Sequence, residues 1–200
     1  MKMKKSKVLL TLLCAVALVV TSVFGTLAYL QSTDVVENTF TVGKVVITLD
    51  EAPVDAEGNA TTAARVKANA YKLMPGHEYD KDPTVHVEAG SENCYVFVKV
   101  ENGIAAIESK AEGYESIADQ ITANGWTALT GVDGVENVFY KTWKQGDTAD
   151  LQVFAEFEVD GAATNQQIAQ YSSSKIIINA YAVQADGFGT AAEAWVAAKF

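Results

Sequence analysis

The chain has 200 residues, 49% of them hydrophobic and 10% aromatic, which suits one well-filled core and rules out a disordered chain. Four of its 15 basic residues (Lys2, Lys4, Lys5 and Lys7) crowd the amino end; without them 11 remain against 25 acidic ones, a net charge of −14. So acidic a surface repels nucleic acid and anionic lipid, and neither is expected as a partner.

Lys2 to Lys7 forms a positive n-region, and Val8 to Phe24 is an apolar run, long for a signal h-region and short for a transmembrane helix. Gly25, Thr26 and Ala28 supply the small residues a signal peptidase needs, so residues 1–28 are expected to be a signal peptide cut after Ala28, with Tyr29 a near alternative. A retained membrane anchor is the other reading of the same run. Cys14 lies inside it, and Leu13 stands where a lipidation site would need a small residue. The mature chain then keeps one thiol, Cys94, read as core packing on a strand.

Residues 29–39 are a short polar arm and residues 40–200 the folded domain. Phe40, Val42, Val45, Ile47 and Leu49 carry a first strand that Gly43 interrupts. Residues 51–70 turn to Ala, Thr, Asn, Gly and Asp, a loop insertion with a helical turn expected around 63–68. Met74-Pro75-Gly76 is a turn, and Pro83 closes the loop after it. Thr84–Ala89 alternates as a strand. Cys94–Glu101 does so more strongly, with Cys94, Val96, Val98 and Val100 on one face. Ser116 caps a helix that Gly125 ends. Trp126–Leu129 and Val138–Trp143 read as strands. Leu151–Val159 alternates throughout, placing Phe154 with Gln152, Glu156 and Glu158 on a solvated face. Asn165–Tyr171 is a short helix. Lys175–Gln184 is apolar on both faces and is therefore expected at the centre of a sheet. A final helix follows Thr190 and anchors on Trp195. Strands without a βαβ rhythm predict an all-β, mainly antiparallel, two-sheet sandwich with a few short helices in its connections.

Residues 25–30, GTLAYL, and residues 38–51, NTFTVGKVVITLDE, resemble the TasA/camelysin family; KLMPGHEYDKDP at 72–83 and YAVQADGFGTAAEAW at 181–195 are weaker echoes. The resemblance implies a jelly-roll-like sandwich and a SipW-type signal peptidase. It also implies secretion to the matrix or surface of a Gram-positive bacterium, and self-assembly into a biofilm fibre through the freed amino-terminal segment. Leu30, Val35, Val36 and Phe40 supply the apolar anchors that segment would need to add as a strand to another copy. Accessory matrix proteins are further partners such a fibre could take.

The family's camelysin branch carries a metallopeptidase label, which calls for HExxH. Here His77-Glu78-Tyr79-Asp80-Lys81 lacks the second histidine, and the other one, His86, stands nine residues on. Asp80 with Asp82, or Asp133 with Glu136, are pairs of acids a calcium ion would use, without EF-hand spacing. No nucleophile has a base at a telling spacing. The expectation is therefore a non-enzymatic protein with no bound cofactor. Three readings stand, in this order: a structural subunit of an extracellular fibre, a monomeric exported binding module or adhesin of the same fold, and last a camelysin-type metallopeptidase.

Overall fold

The computed structural model describes Lys7, Leu9, Leu10, residues 12–18 and residues 43–200. The first group belongs to one compact unit and residues 42–200 to another. Residues 12–18 are helical, and among the described residues no helix is long and apolar enough to cross a membrane. The cleavage residues Thr26, Ala28 and Tyr29 and the arm residues Leu30, Val35, Val36 and Phe40 lie outside the described residues.

The described part of the larger unit contains nine strands, all paired antiparallel, and three short helices. The strands are β1 (Ile47–Asp50), β2 (Glu78–Asp80), β3 (Thr84–Val87), β4 (Cys94–Asn102), β5 (Thr127–Ala128), β6 (Val138–Trp143), β7 (Leu151–Gln152), β8 (Glu156–Glu158) and β9 (Ile176–Gln184). The helices are α1 (Ile117–Ala123), α2 (Asn165–Gln170) and α3 (Ala191–Ala198).

They form three ladders, ordered β1-β3-β7, β2-β8 and β5-β6-β4-β9. The first two are one sheet with a nick in it. Tyr79 opposes Phe157 and Val85 opposes Leu151 in a single register. In the gap, the Lys81 N–H donates to the Ala155 carbonyl at 2.9 Å and the Val153 N–H to the Pro83 carbonyl at 2.8 Å. Pro83 has no N–H to return, so the ladder breaks there without changing partners.

β2 is a strand where the sequence suggested a loop. Only Tyr79 in it points inward, and its burial is complete. Residues 63–68 hold no helical turn. Val66 instead exchanges both backbone hydrogen bonds with Glu51, at 2.9 and 2.8 Å, which draws the insertion against β1 as a strand-like strap. Tertiary pairing here overrides the helix propensity of an Ala-rich stretch.

Cys94, Val96, Val98 and Val100 point into the main core, together with Val85, Val153, Phe157 and Val159 from the nicked sheet. Phe154 is also fully buried, not solvated: it belongs to the same core cluster as Ile117 and Ile121 of α1 and Trp126. The Gln120 side chain fastens α1 to that strand, accepting from the Ala155 N–H at 2.9 Å and donating to the Glu156 carbonyl at 3.0 Å. Ser116 caps α1 through the Asp119 N–H, and Thr190 caps α3 through the Glu193 N–H, each worth about 1 kcal/mol.

The far face of the β4–β9 ladder is covered too. Phe97 and Tyr181 pack under α3, with Trp195 ring centroids 5.1 Å and 5.5 Å away.

Candidate functional site

β9 is the longest strand besides β4, yet it stands at the edge of its sheet rather than at the centre. Its apolar faces have separate explanations. Ile176, Ile178, Ala180 and Ala182 pack on the main core, while Tyr181 and Val183 lie beneath α3.

The backbone follows the antiparallel alternation. Gly103 donates to the Lys175 carbonyl and Ala185 to the Asn93 carbonyl, so odd-numbered residues of β9 turn their N–H and C=O groups to β4. Ile176, Ile178, Ala180 and Ala182 therefore turn theirs outward, and among the described residues those groups have no ladder partner. The outer edge of β1 is only partly served. The Glu88 N–H donates to the Val46 carbonyl, which directs Ile47 and Leu49 to the other side, where Lys67 Nζ donates to the Leu49 carbonyl.

Both edges border one groove of about 880 Å³. Leu49–Glu51 and the strap residues 67–73 form one wall; α2, the turn after it and the start of β9 form the other. Phe157 and Ile104 line its apolar depth. Beneath them Lys81 Nζ donates to Glu51 Oε2, in an ion pair whose partners are 7% and 5% exposed. Asn69 Nδ2 donates to the other Glu51 oxygen at 3.0 Å, and the Lys81 ammonium stands 6.0 Å from the Tyr71 ring. Burial first, and the Glu51 charge second, push the Tyr71 hydroxyl well above its ordinary pKa. It stays protonated and donates to the Asp80 carbonyl at 2.9 Å.

The residues singled out for a metal do not converge. His77 and His86 lie at opposite ends of β2 and β3, roughly 30 Å apart at strand rise. His77 Nε2 is 2.7 Å from the Glu57 carbonyl. His86 has both ring nitrogens engaged, Nδ1 with Asp150 at 2.6 Å and Nε2 with Asp50 at 2.9 Å. Asp82 accepts from the Ala52 N–H and from Arg65, and Asp80 from the Ala60 N–H. Glu78 is exposed on β2 opposite Glu158, and Asp133 and Glu136 are exposed in the β5–β6 loop. Among the described residues no group of three or more His, Cys, Asp or Glu is placed to hold a metal ion.

Burial lowers the pKa of His86, but hydrogen bonds and charge from Asp50 and Asp150 outweigh it and hold the imidazole above its ordinary value. Arg65 completes this cluster, bridging Asp50 and Asp82 from the strap. The arrangement clamps the 51–70 insertion to the β1–β3 edge and presents no nucleophile.

The sequence does not announce the groove. Its walls come from residues 49–51, 67–73 and 168–178, and nothing local links them. The one available signal was β9 itself, apolar on both faces. No protein-family model, curated protein or solved structure matches the chain.

Proposed function

We propose that the chain is an exported structural subunit of an extracellular fibre or biofilm matrix, similar to TasA/camelysin proteins. In this reading each copy adds its amino-terminal arm as a strand along the β9 edge of the next. The observation that carries it is the nine-residue β9, packed on the main core on one face and, at Tyr181 and Val183, beneath α3 on the other, but lacking a ladder partner on its outer backbone among the described residues, beside a groove that reaches the core. An extended peptide laid there gains main-chain hydrogen bonds from β9 and apolar contacts from Ile176, Ile178, Leu49 and Leu73. Eleven arm residues, 29–39, extend to about 36 Å, and a strand of nine residues needs about 30 Å.

An arm that enters another copy's groove makes a head-to-tail contact, which propagates as a filament. Cleavage near Ala28 by a SipW-type peptidase releases the arm from the membrane-directed segment, which couples assembly to export to the matrix or surface of a Gram-positive bacterium. Accessory matrix proteins would join through the same edge. The joined β1-β3/β2-β7/β8 sheet and the β5-β6-β4-β9 sheet share one core, which supports the jelly-roll-like sandwich of this family. The reading is non-enzymatic: both nitrogens of His86 are held by carboxylates and His77 by a carbonyl, so peptidase chemistry draws no support from them.

Negative-stain microscopy of the exported chain, with and without residues 29–39, tests the proposal. Filaments that vanish on deletion are the expected result. Uniform small particles from the intact chain, with or without added calcium, would refute self-assembly and favour a monomeric adhesin that accepts a foreign peptide in the same groove.

A further inference from the structure

The groove has a charge opposite to that of the molecule around it. Of the 11 basic residues beyond the amino-terminal lysines, four line it: Lys67, Lys72, Lys81 and Lys175. Only two of 25 acidic residues do, Asp50 and Glu51. Those two are already compensated, Asp50 by Arg65 and His86, Glu51 by Lys81. Lys67, Lys72 and Lys175 are exposed, and none is within ion-pairing distance of a carboxylate among the described residues. They occupy both walls, Lys67 and Lys72 on the strap and Lys175 at the entry to β9. A local charge of three positive groups thus sits in a chain whose net charge is −10, or −14 without the four amino-terminal lysines.

The arm carries the complementary sign. Residues 29–40 read YLQSTDVVENTF, with Asp34 and Glu37 as their only charged side chains and no lysine or arginine. We infer that Lys67, Lys72 and Lys175 are specificity residues that select the acidic arm of a second copy through Asp34 and Glu37. The inference rests on the donor-arm reading and adds to it what the groove recognises. Backbone hydrogen bonding along β9 is indifferent to side-chain identity, so a groove lined only by apolar groups would accept any extended apolar segment. Opposed charges at the rim reject wrong partners and speed correct encounters. They also act between two bodies that otherwise repel, since every copy bears the same net charge.

The consequence is a fibre that assembles readily at low ionic strength and poorly at high. Near 0.15 M salt the screening length is about 8 Å, so the rim still reaches an approaching arm; at 1 M it falls to about 3 Å.

The experiment uses the exported chain in four forms, followed by sedimentation and electron microscopy across a salt series. The forms are wild type, K72E/K175E, D34K/E37K, and all four changes together. Lys67 is left in place because it also binds the Leu49 carbonyl. Each double variant should raise the critical concentration for filaments about tenfold, and the combined variant should return it towards the wild-type value. A melting curve on each form separates misfolding from lost recognition, and K72Q/K175Q, which removes charge without reversing it, should fall between. Double variants that assemble as wild type does, while deletion of residues 29–39 still abolishes filaments, would overturn the electrostatic inference and leave the arm reading standing. Filaments that survive the deletion would overturn both.

Discussion

Replacing Lys81 by Met tests the floor of the groove. Glu51 and Lys81 are 5% and 7% exposed, and their pair joins β1 to the stretch between β2 and β3. K81M keeps most of the side-chain volume but strips the cation, leaving a buried carboxylate with Asn69 Nδ2 as its side-chain donor. Breaking a buried pair from one side costs about 3–5 kcal/mol, because the remaining charge keeps its desolvation penalty. For a chain of this size that lowers the melting temperature by about 10 °C. The double variant E51Q/K81M removes the stranded charge and should recover all but about 1–2 kcal/mol of the loss. Urea unfolding, followed by the fluorescence of the buried Trp126 and Trp143, reads each value. A loss below about 1 kcal/mol in K81M, or a double variant no more stable than K81M, would refute the view that the pair is held by mutual compensation.

His86 gives stability a pH dependence near neutrality. Its folded pKa lies above the unfolded value, so its contribution is complete below about pH 6.5 and is lost as pH rises through the folded pKa. Wild type should therefore melt progressively lower through that window, and H86Q should flatten the curve; an unchanged slope in H86Q would count against the Asp50–His86–Asp150 clamp. Glu156 presents the opposite case. Burial first, then Glu78 and Asp80, raise its pKa, and Asp80 stands directly across the ladder from it. Its charged form is therefore a cost above the ordinary carboxylate range, and E156Q should stabilise the fold by about 0.2–1 kcal/mol at pH 7, with the gain shrinking as pH falls through the folded pKa. A destabilised E156Q would contradict this. The Cys94 thiol is fully buried and pushed up to about 11 by that burial, so a thiol reagent at pH 8 should label it only on the unfolding timescale. Rapid labelling of Cys94 itself, in native protein that lacks the exposed Cys14, would show the β4 core to be open.

The elements legible in the sequence are those whose signal is local. β4 places Cys94, Val96, Val98 and Val100 on one face, α1 carries its own N-cap in Ser116, and α3 its own in Thr190. β2 was illegible because it breaks a cross-strand preference: Glu78 opposes Glu158 and Asp80 opposes Glu156, with Tyr79 on Phe157 as the one apolar pair holding the ladder. Phe154 was misplaced for a different reason. Alternation assigns it to the outer face, but that face is covered by α1, more than thirty residues earlier in the chain. The pairs Glu51–Lys81 and Arg65–Asp82 are likewise long-range, and a sequence offers no means of choosing one acid among 25.

β9 is the instructive case, because the inference from it was sound in its premise and failed at one step. A strand apolar on both faces must find packing on both, and β9 finds it on the main core and, at Tyr181 and Val183, beneath α3, while Ile177 stays exposed. Coverage of faces, however, says nothing about pairing of edges, since side chains stand perpendicular to the sheet and backbone hydrogen bonds lie within it. Soluble proteins blunt such edges with charge, proline, bulges or a covering loop. From Ile176 to Val183 the outward-pairing edge carries no charged residue and no proline. Its first lysine, Lys175, stands just before it, and the 66–73 strap guards the neighbouring β1 edge instead. An edge this long, with no ladder partner among the described residues, is a hazard for a monomer and an asset for a subunit that pairs with its own kind.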